Sequence, residues 1–164
     1  MIDLALITPL VAPLADALRA KGWRLATAES CTGGLIAAAC TTLAGSSDWF
    51  ERGFVTYSNA AKVQQLGVDA ALLERQGAVS EAVVGAMVAG ALIRSPADIA
   101  VAVTGIAGPG GAVPGKPVGT VWLAVMRRGG VAQVERLQLD GDRANVRAQT
   151  VIIALQRLRA LCEG

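Results

Sequence analysis

Ser30 stands in a segment whose residue types suit a nucleophile. The segment reads Glu-Ser-Cys-Thr-Gly-Gly over residues 29–34 and follows Trp23–Ala28, an apolar run typical of a β-strand. Ligands of open α/β sheets bind beyond the carboxyl ends of strands, so this turn can present the Ser30 hydroxyl to a cleft. The glycines allow a close backbone approach, and N–H groups at the start of the next helix can hold an oxyanion. The alternative is that Ser30 or Thr32 only caps that helix.

A serine hydroxyl is a weak nucleophile unless a base accepts its proton. The chain has no histidine, which excludes a Ser-His-Asp triad and a histidine-ligated metal. Lys62 follows Tyr57 by five residues, one turn into a predicted helix, and lies near Ser30 if the first two strands are neighbours. As a base it must be neutral, so its pKa must fall well below about 10.4. The alternatives are a solvated Lys62 on a helix surface and a strand-end Tyr57 with its hydroxyl in water.

Two further segments are candidates for ligand binding. Residues 104–117 contain five glycines and three prolines. Within them Gly110–Lys116 fits the start of a phosphate-binding loop, but Pro117 replaces the Ser or Thr that would bind magnesium, so we reject that function. The backbone amides of residues 104–108 are better placed to hold a ligand, unless the segment is only a turn. At the start of the last predicted helix, Asp142 suits an N-cap, and Arg143 can reach a phosphate or carboxylate or simply lie on the surface.

Composition narrows the class of protein. The chain has 164 residues, 53% of them apolar and 17% charged, with a net charge of +2, which argues against disorder and against a nucleic-acid-binding protein. Its three scattered cysteines indicate a reducing compartment and no thiolate metal site. Ala82–Ile93, the best apolar run, is too short to span a membrane, and the N-terminus lacks the basic start of a signal peptide. We therefore expect a cytoplasmic protein without a metal or cofactor, and its apolar composition favours a homo-oligomer.

The elements that must position these residues follow from hydrophobic spacing. Early strands alternate with helices, and a hairpin follows near the end of the chain. This order predicts one domain over residues 1–164, a three-layer α/β/α sandwich with a mixed, mostly parallel sheet. The predicted strands are 23–28, 52–57, 99–103, 118–126 and 131–139, and the predicted helices are 7–21, 35–43, 59–66, 68–76, 80–95 and 142–162.

Six ordered motifs together resemble one family. They are ATAESCTGG at 26–34, GSSDWFERGFVTYSNAAK at 45–62, GAVSE at 77–81, TGIAGPGG at 104–111, KPVGTVW at 116–122 and GDR at 141–143. Nearly the whole chain is similar to the CinA C-terminal domain. The resemblance implies an amidohydrolase that converts nicotinamide mononucleotide to nicotinic acid mononucleotide and ammonia without a metal. The alternatives are a nucleotide-binding or partner-binding module with little catalysis, linked to DNA uptake or repair, and a general serine-lysine amidase.

The resemblance also assigns roles to the matching positions. It implies that Ser30 is the nucleophile and Lys62 the general base, with Tyr57 and Thr104 in support. It implies that Arg143 contacts the substrate phosphate. The remaining substrate-binding residues that we expect on this basis are Thr32, Gly33, Gly34, Asn59 and Gly105.

Overall fold

The structure, a computed structural model, describes residues 3–164. Met1 and Ile2, the first two positions of the predicted domain, lie outside the described residues. Within residues 3–164 there are five strands and six α-helices, together with short 3-10 turns at Leu4–Leu6 and Ser46–Asp48. The strands are β1 Leu25–Glu29, β2 Phe50–Val55, β3 Ile99–Gly105, β4 Thr120–Arg127 and β5 Gln133–Gln138. The helices are α1 Thr8–Lys21, α2 Leu35–Cys40, α3 Asn59–Leu66, α4 Ala70–Gln76, α5 Glu81–Ile93 and α6 Arg143–Glu163.

The five strands form one mixed sheet in the order β2-β1-β3-β4-β5. β1 lies between β2 and β3 and pairs in parallel with both, while β3–β4 and β4–β5 are antiparallel pairs. Four of the five strands therefore point the same way, which confirms the predicted mixed and mostly parallel sheet. The carboxyl ends of β1, β2 and β3 meet at one edge, where loops from three strands can build a common site.

Helices cover both faces of the sheet, as the predicted three-layer sandwich requires. α1, α2 and α6 pack on the face that carries large side chains such as Leu25, Val101 and Val103. α3, α4 and α5 cover the other face, where β1 and β3 present mostly alanines, including Ala28 and Ala102. Because alanine is small, the apolar helix α5 can approach this face closely, and its apolar composition follows from burial there. Across residues 3–164, no helix has both the length and the apolarity needed to cross a bilayer.

Most predicted elements are found, with shifted ends. α3 has the predicted bounds, and the Ser58 side chain caps it by accepting from the N–H of Ala61. β1 and β2 lie one or two residues from their predicted positions because pairing runs from Leu25 with Phe50 to Glu29 with Val55. The prediction that α2 extends to Leu43 is wrong. It ends at Cys40 because the hydroxyls of the next two threonines donate to carbonyls of its last turn.

Candidate active site

Ser30 lies directly beyond the carboxyl end of β1, at the centre of the parallel part of the sheet. Its N–H donates to the carbonyl of Val103 on β3 at 3.1 Å, while the N–H of Thr56, after β2, donates to the carbonyl of Glu29 at 2.8 Å. The sheet hydrogen bonding thus continues one residue past β1 on the side of β3 and one residue past β2 on the side of β1, which fixes the backbone on either side of the Glu29–Ser30 peptide. The Ser30 residue is 9% exposed. The serine therefore has a fixed backbone and a hydroxyl at the edge of a cleft.

Lys62 lies in α3, and its side chain extends to the turn that carries Ser30. It is only 1% exposed, so the alternative of a solvated surface lysine is wrong. Its Nζ donates to the carbonyl oxygen of Thr56 at 2.7 Å and lies 3.0 Å from the Oγ of Ser30. Both of these partners are neutral. Burial lowers the pKa of Lys62 from its usual value, and this shift is opposed only by the neighbouring Cys31 thiol.

Glu29, which sequence reasoning passed over, holds the turn that carries Ser30. Its buried carboxylate accepts hydrogen bonds from the N–H groups of Ile36 and Ala37 at 2.9 and 3.0 Å, and from the hydroxyl of Thr32 at 2.6 Å. The expectation that Ser30 or Thr32 caps α2 is therefore wrong. Gly34 occupies the N-cap position, and the Glu29 carboxylate supplies the acceptors. In the sequence, Glu29 is an acidic residue at the end of an otherwise uncharged strand. That pattern could have identified it, because a buried carboxylate needs hydrogen-bond donors around it.

Seven of the ten predicted site residues line one cavity of about 240 Å³. They are Ser30, Tyr57, Asn59, Lys62, Thr104, Gly105 and Arg143. The structure thus brings together residues that are up to 113 positions apart in the sequence, from the turn after β1, the segment that leads from β2 into α3, the end of β3 and the start of α6.

The other three predicted residues form the turn itself and lie outside this cavity lining. Thr32 is fully buried, with its hydroxyl bonded to Glu29. Gly33 and Gly34 have φ of 59° and 97°, a left-handed conformation that glycine adopts without strain. The turn after Ser30 therefore requires glycine at positions 33 and 34. Thr32 supports the same turn through its hydrogen bond to the Glu29 carboxylate.

Tyr57 and Arg143 close one side of the cavity. Arg143 Nη2 donates to the Tyr57 hydroxyl at 2.8 Å, and its Nη1 donates to the carbonyl of Gly108 at 3.0 Å. The arginine therefore joins α6, the glycine-rich loop and the segment after β2. The hydroxyl of Thr104, near the end of β3, also lines the cavity; it donates to the carbonyl of Ala78 at 3.0 Å and holds the segment before α5. The Asp142 side chain caps α6, as predicted, by accepting from the N–H of Asn145.

A buried lysine beside a serine at the end of a parallel strand defines an α/β/α domain with a candidate serine-lysine site. Residues 7–162 match the CinA C-terminal domain, and the chain belongs to that family.

Curated relatives match most of the chain. It is 56% identical over 155 residues to the nicotinamide-nucleotide amidohydrolase PncC of Pseudomonas putida, covering 94% of this chain and 96% of the relative. It is 53% identical over 143 residues to the protein of the same name from Escherichia coli K12, covering 87% of each. Among solved structures, the competence/damage inducible protein CihA of Agrobacterium tumefaciens superposes with a TM-score of 0.92 at 48% identity, covering 94% of both chains.

Proposed function

We propose that this protein hydrolyses the carboxamide of nicotinamide mononucleotide, giving nicotinic acid mononucleotide and ammonia, with Ser30 as nucleophile and Lys62 as base. The observation that carries the proposal is the 3.0 Å contact between the Ser30 hydroxyl and a buried amine whose pKa is lowered. A neutral amine at this distance can accept the hydroxyl proton, which is the requirement for an activated serine. The substrate class comes from the amidohydrolases to which the chain is 53–56% identical.

In the first half of the reaction, Ser30 Oγ attacks the carboxamide carbon while its proton passes to Lys62 Nζ. The carbonyl double bond opens and leaves a negative charge on oxygen. When the carbon–nitrogen bond breaks, Lys62 returns the proton to the leaving nitrogen, and ammonia departs. Water then attacks the acyl-serine, giving its proton to Lys62, and the carbon–oxygen bond to Ser30 breaks as Lys62 reprotonates the serine. The products are the free carboxylic acid and the enzyme in its starting state.

The developing oxyanion needs donors close to Ser30. The N–H of Gly33 already donates to the Ser30 carbonyl, whereas no acceptor is found among residues 3–164 for the N–H of Cys31, which lines the cavity next to Ser30. We assign the Cys31 amide to the oxyanion. Glu29 keeps it in place because its carboxylate ties the turn to the start of α2. The loss of one such donor typically lowers the rate by about 100- to 1000-fold.

The remaining cavity residues are proposed to orient the substrate. Tyr57 is 60% exposed at the cavity mouth, with its hydroxyl held by Arg143, so it can stack on or hydrogen-bond to the pyridine end. Asn59 and Gly105 line the same cavity and are expected to contact the carboxamide or the ribose. Thr104 supports the site through Ala78, and Thr32, Gly33 and Gly34 support the turn.

The proposal is tested by measuring ammonia release from nicotinamide mononucleotide with purified protein. Ser30→Ala and Lys62→Met should each lower kcat by about 1000-fold or more, because either change removes the activated nucleophile. Lys21→Met is the matched control, since Lys21 is exposed at the end of α1, and it should leave kcat unchanged. Circular dichroism checks that all three variants are folded.

Wild-type turnover in either Ser30→Ala or Lys62→Met would show that the nucleophile or base is misassigned. No ammonia release by the wild-type protein would favour a binding module with little catalysis, and equal turnover of simple amides would favour a general amidase. Self-association, which we also propose, is checked by light scattering coupled to size-exclusion chromatography.

A further inference from the structure

The turn after β1 contains a chain of two hydrogen-bonded peptide groups that ends at the Cys31 amide. The N–H of Gly33 donates to the carbonyl of Ser30 at 3.0 Å. That carbonyl belongs to the same planar peptide group as the N–H of Cys31, which lines the cavity. The N–H of Gly33 shares its own peptide group with the carbonyl of Thr32. A donor to the Thr32 carbonyl therefore acts, through two peptide groups, on the N–H assigned to the oxyanion.

Arg147, near the start of α6, supplies a charged donor at the other end of this chain. Its Nη2 donates to the carbonyl of Thr32 at 3.1 Å, a contact between residues 115 positions apart. No carboxylate of residues 3–164 lies within 4 Å of this guanidinium, so no ion pair there reduces its charge. The charge reaches the turn: burial raises the pKa of the Cys31 thiol to about 12, and the cation at Arg147 opposes that rise.

We propose that Arg147 is a positioning residue that aligns and polarises the Cys31 N–H for the oxyanion. Hydrogen bonds in a chain strengthen one another, and a bond from a charged donor is stronger than one from a neutral donor. The effect is largest when negative charge develops beside Ser30, so it favours the transition state over the bound substrate. This inference rests on the proposed function, because it concerns the oxyanion formed in that reaction.

The turn keeps other supports when Arg147 is removed. The N–H of Leu35 also donates to the Thr32 carbonyl, at 3.2 Å, so this carbonyl retains a donor. The hydroxyl of Thr32 donates to the Glu29 carboxylate at 2.6 Å, and that bond does not involve α6. A substitution at Arg147 therefore removes the charged donor while the neutral hydrogen bonds of the turn remain.

The first test is the kinetics of ammonia release by Arg147→Met. We expect kcat to fall by about 10- to 100-fold with little change in KM, less than the loss of a whole oxyanion donor, because the Cys31 N–H is still present. Arg147→Lys keeps a charged donor without the planar fork and should give an intermediate kcat. Arg159→Met is the matched control on the same helix. Arg159 pairs with Glu163, and its loss should leave kcat unchanged. Circular dichroism checks the fold of each variant.

Arg147 also lines a second cavity, of about 660 Å³, so direct contact with the substrate is the alternative to be tested. Nicotinamide riboside carries the same carboxamide as the mononucleotide but no phosphate. If Arg147 acts through the turn, Arg147→Met lowers kcat by the same factor for both substrates. A loss confined to the mononucleotide, or a loss found only in KM, would show direct contact and overturn the inference.

Pyridine-3-carbaldehyde tests the oxyanion without any amide hydrolysis. Ser30 Oγ bonds to the aldehyde carbon, the serine proton passes to Lys62, and the carbonyl electron pair moves to oxygen, which becomes the oxyanion. The affinity, measured by calorimetry with Ser30→Ala as the background, should fall by about 10-fold or more in Arg147→Met and stay at the wild-type value in Arg159→Met.

The aldehyde result separates this inference from the proposed function. The expected loss of aldehyde affinity in Arg147→Met supports the positioning role even if the wild-type protein releases no ammonia from nicotinamide mononucleotide. Equal aldehyde affinity in wild type and Arg147→Met overturns the positioning role. If the wild-type protein nevertheless releases ammonia, the proposed function stands without it.

Discussion

Lys62 Nζ lies 2.7 Å from the backbone carbonyl oxygen of Thr56, so the amine is anchored by the segment that follows β2. The N–H of the same Thr56 donates to the carbonyl of Glu29, the residue before Ser30. The base and the nucleophile are therefore held by one continuous set of hydrogen bonds that begins in the pairing of β1 with β2. Their relative position depends on the sheet rather than on flexible side chains alone.

The pH dependence of activity should report the ionisation of Lys62. Burial lowers the pKa of this amine, and only its neutral form can accept the Ser30 proton. We expect log kcat/KM to rise with a slope of about 1 per pH unit at low pH and to level off below about 10.4, the usual lysine pKa. Steady-state ammonia release over a pH series measures this. A flat profile, or an inflection at the unshifted lysine value, would contradict the assignment.

The lowered pKa of Lys62 should also make the free energy of unfolding depend on pH. Because the pKa of Lys62 is lower in the folded state, the unfolded chain binds more protons between that pKa and about 10.4. Wild-type stability should therefore rise with pH across this window, by at most about 1.4 kcal/mol per pH unit from this group. Lys62→Met lacks this dependence, so its free energy of unfolding relative to wild type should fall as pH rises. Urea unfolding at several pH values measures the difference.

The control for that experiment is Lys21→Met, which removes an exposed amine. Its stability should run parallel to that of the wild type over the whole pH series. If Lys62→Met also ran parallel, Lys62 would not be held neutral in the folded protein, and its role as a base would lose its physical support.

Glu29→Gln tests the carboxylate that organises the nucleophile turn. The amide places an NH2 group against one of the N–H donors of α2, leaving that donor without an acceptor. We expect a loss of about 1–3 kcal/mol in the free energy of unfolding, and a fall in kcat that exceeds any change in KM. Glu74→Gln, at an exposed position of α4, should change stability by less than about 0.5 kcal/mol. Equal stability of the two variants would show that the Glu29 contacts contribute little.

Two glycines of α5 provide a matched pair of variants that tests how closely α5 packs against α3, the helix that carries Lys62. A Cβ at Gly90 would overlap the carbonyl oxygen of Leu66, the last residue of α3, whereas a Cβ at Gly85 meets nothing within 4 Å. Gly90→Ala should therefore destabilise the protein by about 1–3 kcal/mol and lower kcat by displacing the helix that carries Lys62. Gly85→Ala should stabilise it by up to about 1 kcal/mol through helix propensity. Thermal unfolding and kcat for both variants measure this, and a stable, active Gly90→Ala would refute the close contact.

Local sequence patterns predicted the order and type of the helices and strands, because the type of each element depends on the spacing of apolar residues within a short segment. The apolar runs gave the strands, and Gly67 and Asp142 mark a helix end and a helix start where the structure has them. The same rules failed at α2, where capping depends on the Glu29 carboxylate. Glu29 accepts from Ile36 and Ala37 only because β1 is buried and the turn folds back, which no local pattern encodes.

The sequence by itself determined the chemistry that was possible: without histidine, a serine nucleophile had to rely on another base, and Lys62 was a candidate. Tertiary structure decided that Lys62 meets Ser30, because β1 pairs with β2 and buries the amine beneath the turn. It also decided that Arg143, at the start of α6, donates to the Tyr57 hydroxyl after β2. The physical reason is that burial sets the pKa of Lys62 and long-range hydrogen bonds fix the position of Arg143, and both arise only when distant segments pack together.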